Sequence, residues 1–148
     1  MTPEIRALYQ EVIIDHGRHP RNFGPMLEAT HALEGYNPLC GDKLKLYLQV
    51  KNNIVEAVKF EGSGCAISMA SASLMSQQMQ GKTLEEARQL FQFFHAMIID
   101  GSTPDARLGK LTILEGVKEF PARVKCATLA WHTLQNVLDG KNDVAVTE

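Results

Sequence analysis

The chain of 148 residues predicts an α+β fold, a small antiparallel β-sheet of about three strands packed against several helices. Three observations carry that expectation. Leu44, Leu46, Leu48 and Val50 alternate with Lys45, Tyr47, Gln49 and Lys51, the two-residue period of a half-buried strand. Asn52-Asn53 offers the positive φ angles of a tight hairpin turn, and "IVEAVKF" supplies the returning strand. On either side of this hairpin the apolar spacing is helical, so the order is helix, strands, then helices.

The elements follow in order. Thr2-Pro3 is a cap with proline at the first helical position, and Ile5, Leu8, Tyr9, Val12 and Ile13 recur at helical spacing until Gly17. "HGRHPRNFGP" is a loop; His16, Arg18, His19 and Arg21 make it locally basic, as a solvated segment or a docking patch. Residues 27–36 form a weak strand. In the hairpin Ile54 and Val55 are both apolar while Val58 and Phe60 share a face, a slip near Glu56 and Ala57 that a β-bulge explains. "CAISMASASLMSQQMQG" lacks alternation, is rich in Ala, Ser and Met, and reads as a helix ended by Gly81. Thr83-Leu84-Glu85-Glu86 is a capping box opening a helix that carries Leu84, Ala87, Leu90, Phe91 and Phe94. "DGSTPD" breaks it. "LGKLTILEGV" is a short helical piece, and the last helix runs through "CATLAWHTLQNVL" to Gly140. Met69, Met75 and Met79 read as core filler, and His31, His95 and His132 as packing or surface residues.

Composition bounds the function. Hydrophobic residues at 45% and charged residues at 22% are ordinary globular values, and residues 1–148 read as a single domain without repeat or linker. Fifteen basic against seventeen acidic residues leave a net charge of −2, which gives no sequence-wide case for nucleic acid or anionic membrane. The N-terminus has acidic residues and helical periodicity where a signal peptide needs a basic start and an apolar run. No stretch approaches the roughly 20 apolar residues that span a bilayer. A cytoplasmic location is therefore expected.

Chemistry concentrates in "GYNPLCGDK", where Cys40 and Asp42 stand two residues apart between turn formers and a strand. The other cysteines are Cys65 and Cys126. Three thiols cannot all pair within one chain, and a reducing cytosol disfavours a disulfide framework. They are either small buried core residues or ligands. If residue 51 faces residue 54 across the turn, the same register brings Cys40 opposite Cys65 at the open end of the hairpin, give or take a residue for the bulge. Asp42 can point to the same side as Cys40. Cys65 follows "GSG" at the mouth of a helix, where unpaired N–H groups favour a thiolate. Cys126, after "FPARVK", can join them only through tertiary packing. Three thiolates and one carboxylate would suit zinc, and soft thiolates also suit iron–sulfur clusters, but C-x-D is not one of the compact zinc spacings. Both readings of the cysteines stay open at this level.

Four blocks carry a resemblance: "LYQEVIIDHGRHPRNFG" (8–24), "GYNPLCGDKLKLYL" (35–48), "FEGSGCAISMASASLM" (60–75) and "EFPARVKCATLAWHTL" (119–134). They resemble the signature blocks of the U-type iron–sulfur cluster assembly family, the IscU/NifU-like proteins. Cys40, Asp42, Cys65 and Cys126 fall on that family's metal- and cluster-binding positions. Two departures point to the SufU branch. Lys125 stands where IscU proteins usually have a histidine, and Phe120-Pro121-Ala122-Arg123-Val124-Lys125 replaces the LPPVK chaperone-docking motif, which weighs against handover through a dedicated Hsp70-type chaperone. The segment between Cys65 and Cys126, including residues 83–94, looks like the insertion that marks SufU proteins.

The resemblance implies zinc at Cys40, Asp42, Cys65 and Cys126, with Cys40 accepting persulfide sulfur from a SufS-type cysteine desulfurase and passing it to downstream cluster-assembly or acceptor proteins. In the alternative reading, Cys40, Cys65 and Cys126 hold a transient [2Fe–2S] cluster on a scaffold. The protein is thus either a zinc-dependent sulfurtransferase or a non-enzymatic scaffold; a zinc-stabilised fold without transfer is a third reading. Hydrolysis is disfavoured, because three thiolates and a carboxylate around a +2 ion leave a net −2 and a poor Lewis acid, and H-E-x-x-H is absent. Cys40 lies on a Pro- and Gly-flanked loop that can move, whereas Cys65 is tied to a helix start. Arg123 and Lys125 are accessory candidates, steadying the anionic site or meeting the incoming persulfide, with solvated surface charge as the alternative.

Overall fold

The computed structural model describes residues 2–147. The elements run α1 (Pro3–Arg18), β1 (His31–Asn37), β2 (Asp42–Lys51), β3 (Ile54–Ser63), α2 (Ala66–Met79), α3 (Leu84–His95), a π turn (Ala96–Asp100), a 3-10 segment (Ala106–Glu119), α4 (Pro121–Leu138) and β4 (Ala145–Val146). The sheet order is β3-β2-β1-β4. The expected three antiparallel strands are present, and a two-residue fourth strand adds to them in parallel, Gly35 against Ala145 and Tyr36 against Val146. The apolar run Val144-Ala145-Val146 is too short to announce that strand by period. It exists because β1 leaves an edge that needs partners.

The hairpin turns where the sequence places it. Asn52 and Asn53 have φ of 54° and 62°, and Lys51 faces Ile54. Val50 pairs with Val55 but Gln49 pairs with Ala57, so Glu56 is the extra residue of the bulge. The bulge carries Leu46 and Leu48 into register with Phe60 and Val58, all four with no exposed surface. It also shifts the open end by one residue. Pairing ends at Lys43 with Ser63, which leaves Asp42, not Cys40, beside the segment leading to Cys65.

The helices cover the inner face of the sheet. α4 packs on β1, α2 on β3, and the two helices on each other. Trp131 of α4 stacks on Phe94 of α3 with ring centroids 4.2 Å apart, and its indole N–H donates to Ser71 Oγ at 3.1 Å. Met75 and Met79 are fully buried, as expected of core filler. The capping box of α3 is complete, Thr83 Oγ1 accepting from the Glu86 N–H and Glu86 from the Thr83 N–H. α1 lies against α2 through Ile13, buried His16 and Gly17; the side chains of Ile5 and Leu8 lie outside the described residues. The piece read as "LGKLTILEGV" belongs to a longer 3-10 segment, interrupted at Gly109, whose φ of 56° no α-helix accommodates. No helix among the described residues is long and apolar enough to cross a membrane.

Candidate metal centre

The site assembles where three elements end. Pro38, Leu39, Cys40 and Gly41 form the loop from β1 to β2, and Gly41, with φ of 71°, turns the chain back so that Asn37 pairs with Asp42. Cys40 is exposed on that loop. Asp42, the first residue of β2, is fully buried at 0% exposure. Its Oδ1 accepts the Cys65 backbone N–H at 2.9 Å and its Oδ2 accepts the Asn37 Nδ2–H at 3.0 Å. That approach depends on Gly64, where a Cβ would come within 2.7 Å of Asp42 Oδ1. Gly64 is thus a steric requirement of the carboxylate as well as part of a helix entry.

Cys65 is the N-cap of α2, and its sulfur accepts the Ser68 N–H at 3.5 Å. Cys126 sits in the second turn of α4, fully buried, with its sulfur 3.2 Å from that of Cys40 and 3.5 Å from Asn37 Nδ2. A disulfide would need about 2.05 Å. The thiols are free. The donor atoms of Cys40, Asp42 and Cys126 all lie within 4.8 Å of one another, a group that could hold a metal ion. The sulfur of Cys65 does not lie within that distance of all three, although its backbone is bonded to Asp42.

The donor chemistry fits a cation. Asp42 is buried with amide N–H donors but, among the described residues, no cationic side chain bonded to it, and an unpaired buried carboxylate is costly. Burial pushes the Cys126 thiol well above the ordinary thiol range, and hydrogen bonding with Cys40, Asp42 and Cys65 pushes it further. A dication would replace that proton. Tetrahedral ligands ~2.0–2.3 Å from zinc stand roughly 3.3–3.8 Å from one another, so small adjustments bring Cys40, Asp42 and Cys126 to that spacing.

The two accessory candidates part company. The Arg123 guanidinium is held further toward its charged form by the Cys126 sulfur first, then by charge on Cys65, Cys126 and Cys40. Lys125 lines a cleft of about 580 Å³ with Pro121, Val124, Thr128 and His132, on a different face of α4 from the Cys126 sulfur. Asn37 escaped the sequence reading, which treated it as one turn former among several. Its signal was its place five residues before Asp42, where a short loop must pair the two. It is fully buried, and its Oδ1 has no hydrogen-bond partner among the described residues.

The family model of the NifU-like N-terminal domain matches residues 8–127. The chain belongs to that family. It is 45% identical over 130 residues to the zinc-dependent sulfurtransferase SufU of Bacillus subtilis, covering 87% of this chain and 88% of that one. It is 39% identical over 133 residues to the iron–sulfur cluster assembly scaffold protein IscU of Thermotoga maritima, covering 90% and 94%. The crystal structure of FiSufU from Fervidobacterium islandicum superposes with a TM-score of 0.83 at 36% identity, covering 90% of this chain and 98% of that one. SufU- and IscU-type proteins therefore share both sequence and fold with this chain, and the α+β architecture is theirs.

Proposed function

We propose that this protein serves iron–sulfur cluster biogenesis as a SufU-like sulfur acceptor, with Cys40, Asp42, Cys65 and Cys126 as zinc ligands and Cys40 as the residue that takes up sulfur from a SufS-type cysteine desulfurase. One observation carries the reading: an exposed thiol on a four-residue loop lies 3.2 Å from a buried thiol that shares its surroundings with a buried carboxylate. Zinc, when bound, would keep the cysteine sulfurs deprotonated and shielded.

Cys40 has the mobility and access the transfer needs. Its loop runs from Asn37 to Asp42 and leaves Cys40 exposed, so the thiolate can leave the Cys126 sulfur and turn outward while Asp42 and Cys126 stay buried. The thiolate attacks the outer sulfur of a donor persulfide; a new S–S bond forms on Cys40, the donor's S–S bond breaks, and the donor cysteine leaves as thiolate. No external oxidant or reductant is required. Arg123, beside the cysteine sulfurs, offsets the negative charge of the arriving persulfide.

Zinc analysis of the purified protein, combined with a persulfide assay on the wild type and Cys40→Ala in the presence of a cysteine desulfurase and its cysteine substrate, tests the proposal. About one zinc per chain and persulfide that depends on Cys40 are expected. Normal sulfur uptake by Cys40→Ala would remove Cys40 from the role. A [2Fe–2S] cluster reconstituted on the same cysteines and passed intact to an apo-acceptor would instead support the scaffold function named for the Thermotoga maritima relative.

A further inference from the structure

We infer that Asn37 is a positioning residue that holds the buried half of the donor set, Asp42 and Cys126, in place independently of Cys40, so that the site keeps its cation while the Cys40 loop is disengaged. The inference rests on the proposed zinc site and adds a division of labour within it. Asn37 is the last residue of β1 and pairs directly with Asp42, the first of β2. Its single amide nitrogen lies 3.0 Å from Asp42 Oδ2 and 3.5 Å from the Cys126 sulfur, and so joins a carboxylate on β2 to a thiol on α4. Neither contact involves Cys40. The amide orientation is set by chemistry, because the flipped form would aim its oxygen at the carboxylate.

A purely structural role accounts poorly for an asparagine here. The residue has no exposed surface and its Oδ1 lacks a partner among the described residues, so the fold bears the cost of a half-satisfied buried amide. A leucine, of the same branched shape though bulkier, would leave no amide oxygen unsatisfied. What leucine lacks is the donor that ties the two ligands together. The other oxygen of Asp42 is tied separately to the Cys65 backbone, so the carboxylate is held from both sides before any cation arrives. Loosening the Asn37 side removes the one group among the described residues that touches both Oδ2 and the Cys126 sulfur; the carboxylate then keeps the Cys65 N–H on Oδ1, and the Cys126 sulfur keeps the Ala122 carbonyl and the Cys40 sulfur. Removing both the Asn37 amide and the Cys40 sulfur should cost far more than either alone.

The test is the rate at which zinc passes to a chromophoric chelator from the wild type, Asn37→Leu, Cys40→Ser and the double variant, with circular dichroism and Tm of the metal-free forms alongside. Loss of a residue supporting a metal ligand typically costs about 10–100-fold in affinity. The expected result is a several-fold faster release for Asn37→Leu alone and a further acceleration of at least about 10-fold when it is added to Cys40→Ser. Equal acceleration in both backgrounds, or none, overturns the inference. If Asn37→Leu does not fold, Asn37→Ala, which removes the donor and leaves room for water, takes its place under the same criteria. A wild type that binds no zinc would sink the zinc-site proposal itself, a distinct outcome.

Discussion

The sulfur of Cys126, buried in α4, stands 3.2 Å from the sulfur of Cys40, exposed on the loop between β1 and β2. Eighty-six residues separate them in sequence. The contact joins the helical layer to the open end of the sheet, so a cation held there bridges two parts of the fold.

Metal removal should therefore be felt globally. A ligand that binds only the folded state at 1,000 times its Kd stabilises by about 4 kcal/mol, which for a chain of this size is roughly 8–16 °C in Tm. Stripping zinc with a chelator should lower Tm by that order, and re-addition should restore it. Cys126→Ala should abolish the zinc-dependent increment; a full increment in that variant would remove Cys126 from the ligand set.

Gly64→Ala should weaken zinc without replacing a ligand. The added Cβ falls 2.7 Å from Asp42 Oδ1, so the carboxylate must move and the Cys65 N–H loses its acceptor. An affinity loss of about 10–100-fold is expected in competition titration. Wild-type affinity would show that the carboxylate position is immaterial.

Charge reversal should separate the two basic residues near Cys126. Arg123→Glu places an anion beside three sulfurs and should slow persulfide formation on Cys40 several-fold, the more so at low ionic strength. Lys125→Glu changes a cleft on another face of α4 and should slow it less. Equal losses in the two variants would mean that general surface charge, not contact with the thiols, governs the rate.

Acid should destabilise the fold through His16. This buried imidazole, whose Nδ1 lies 2.7 Å from Ser73 Oγ, has its pKa lowered by burial and then by the nearby Arg21 charge. As pH falls below the unfolded value of about 6.5, the unfolded chain takes up the proton first, so stability present above that pH is lost as pH falls through the lower folded value. The denaturant midpoint should therefore drop as pH falls below about 6.5, and His16→Gln should flatten part of the drop. His132 is shifted the same way by burial and by His95, so a residual slope remains in that variant. An unchanged slope in His16→Gln would assign the acid sensitivity elsewhere.

Much of the fold was legible before any coordinates. The Leu44 to Val50 alternation, the Asn52-Asn53 turn and the slip at Glu56 are local patterns, and a strand's register is decided by which face must be apolar. The same locality placed Cys40 opposite Cys65 within a residue, and the bulge brings Asp42 there instead; the capping box at Thr83 marked its helix unaided. Other features depend on surfaces that meet only after folding. The two residues of β4, the 3-10 conformation around Gly109 and the burial of Asn37 answer to neighbours far along the chain, and no periodicity encodes those neighbours.

The linear chain by itself thus determined the hairpin, the helices and the kinds of donor atom available, because each follows from residue type and short-range spacing. Only the packing of α4 across β1 decided that Cys126 reaches Cys40 and Asp42 while the Cys65 sulfur stays slightly apart. The physical reason is that register is set by a few neighbouring hydrogen bonds, whereas the approach of a helix to a sheet edge is set by the whole core that both must cover.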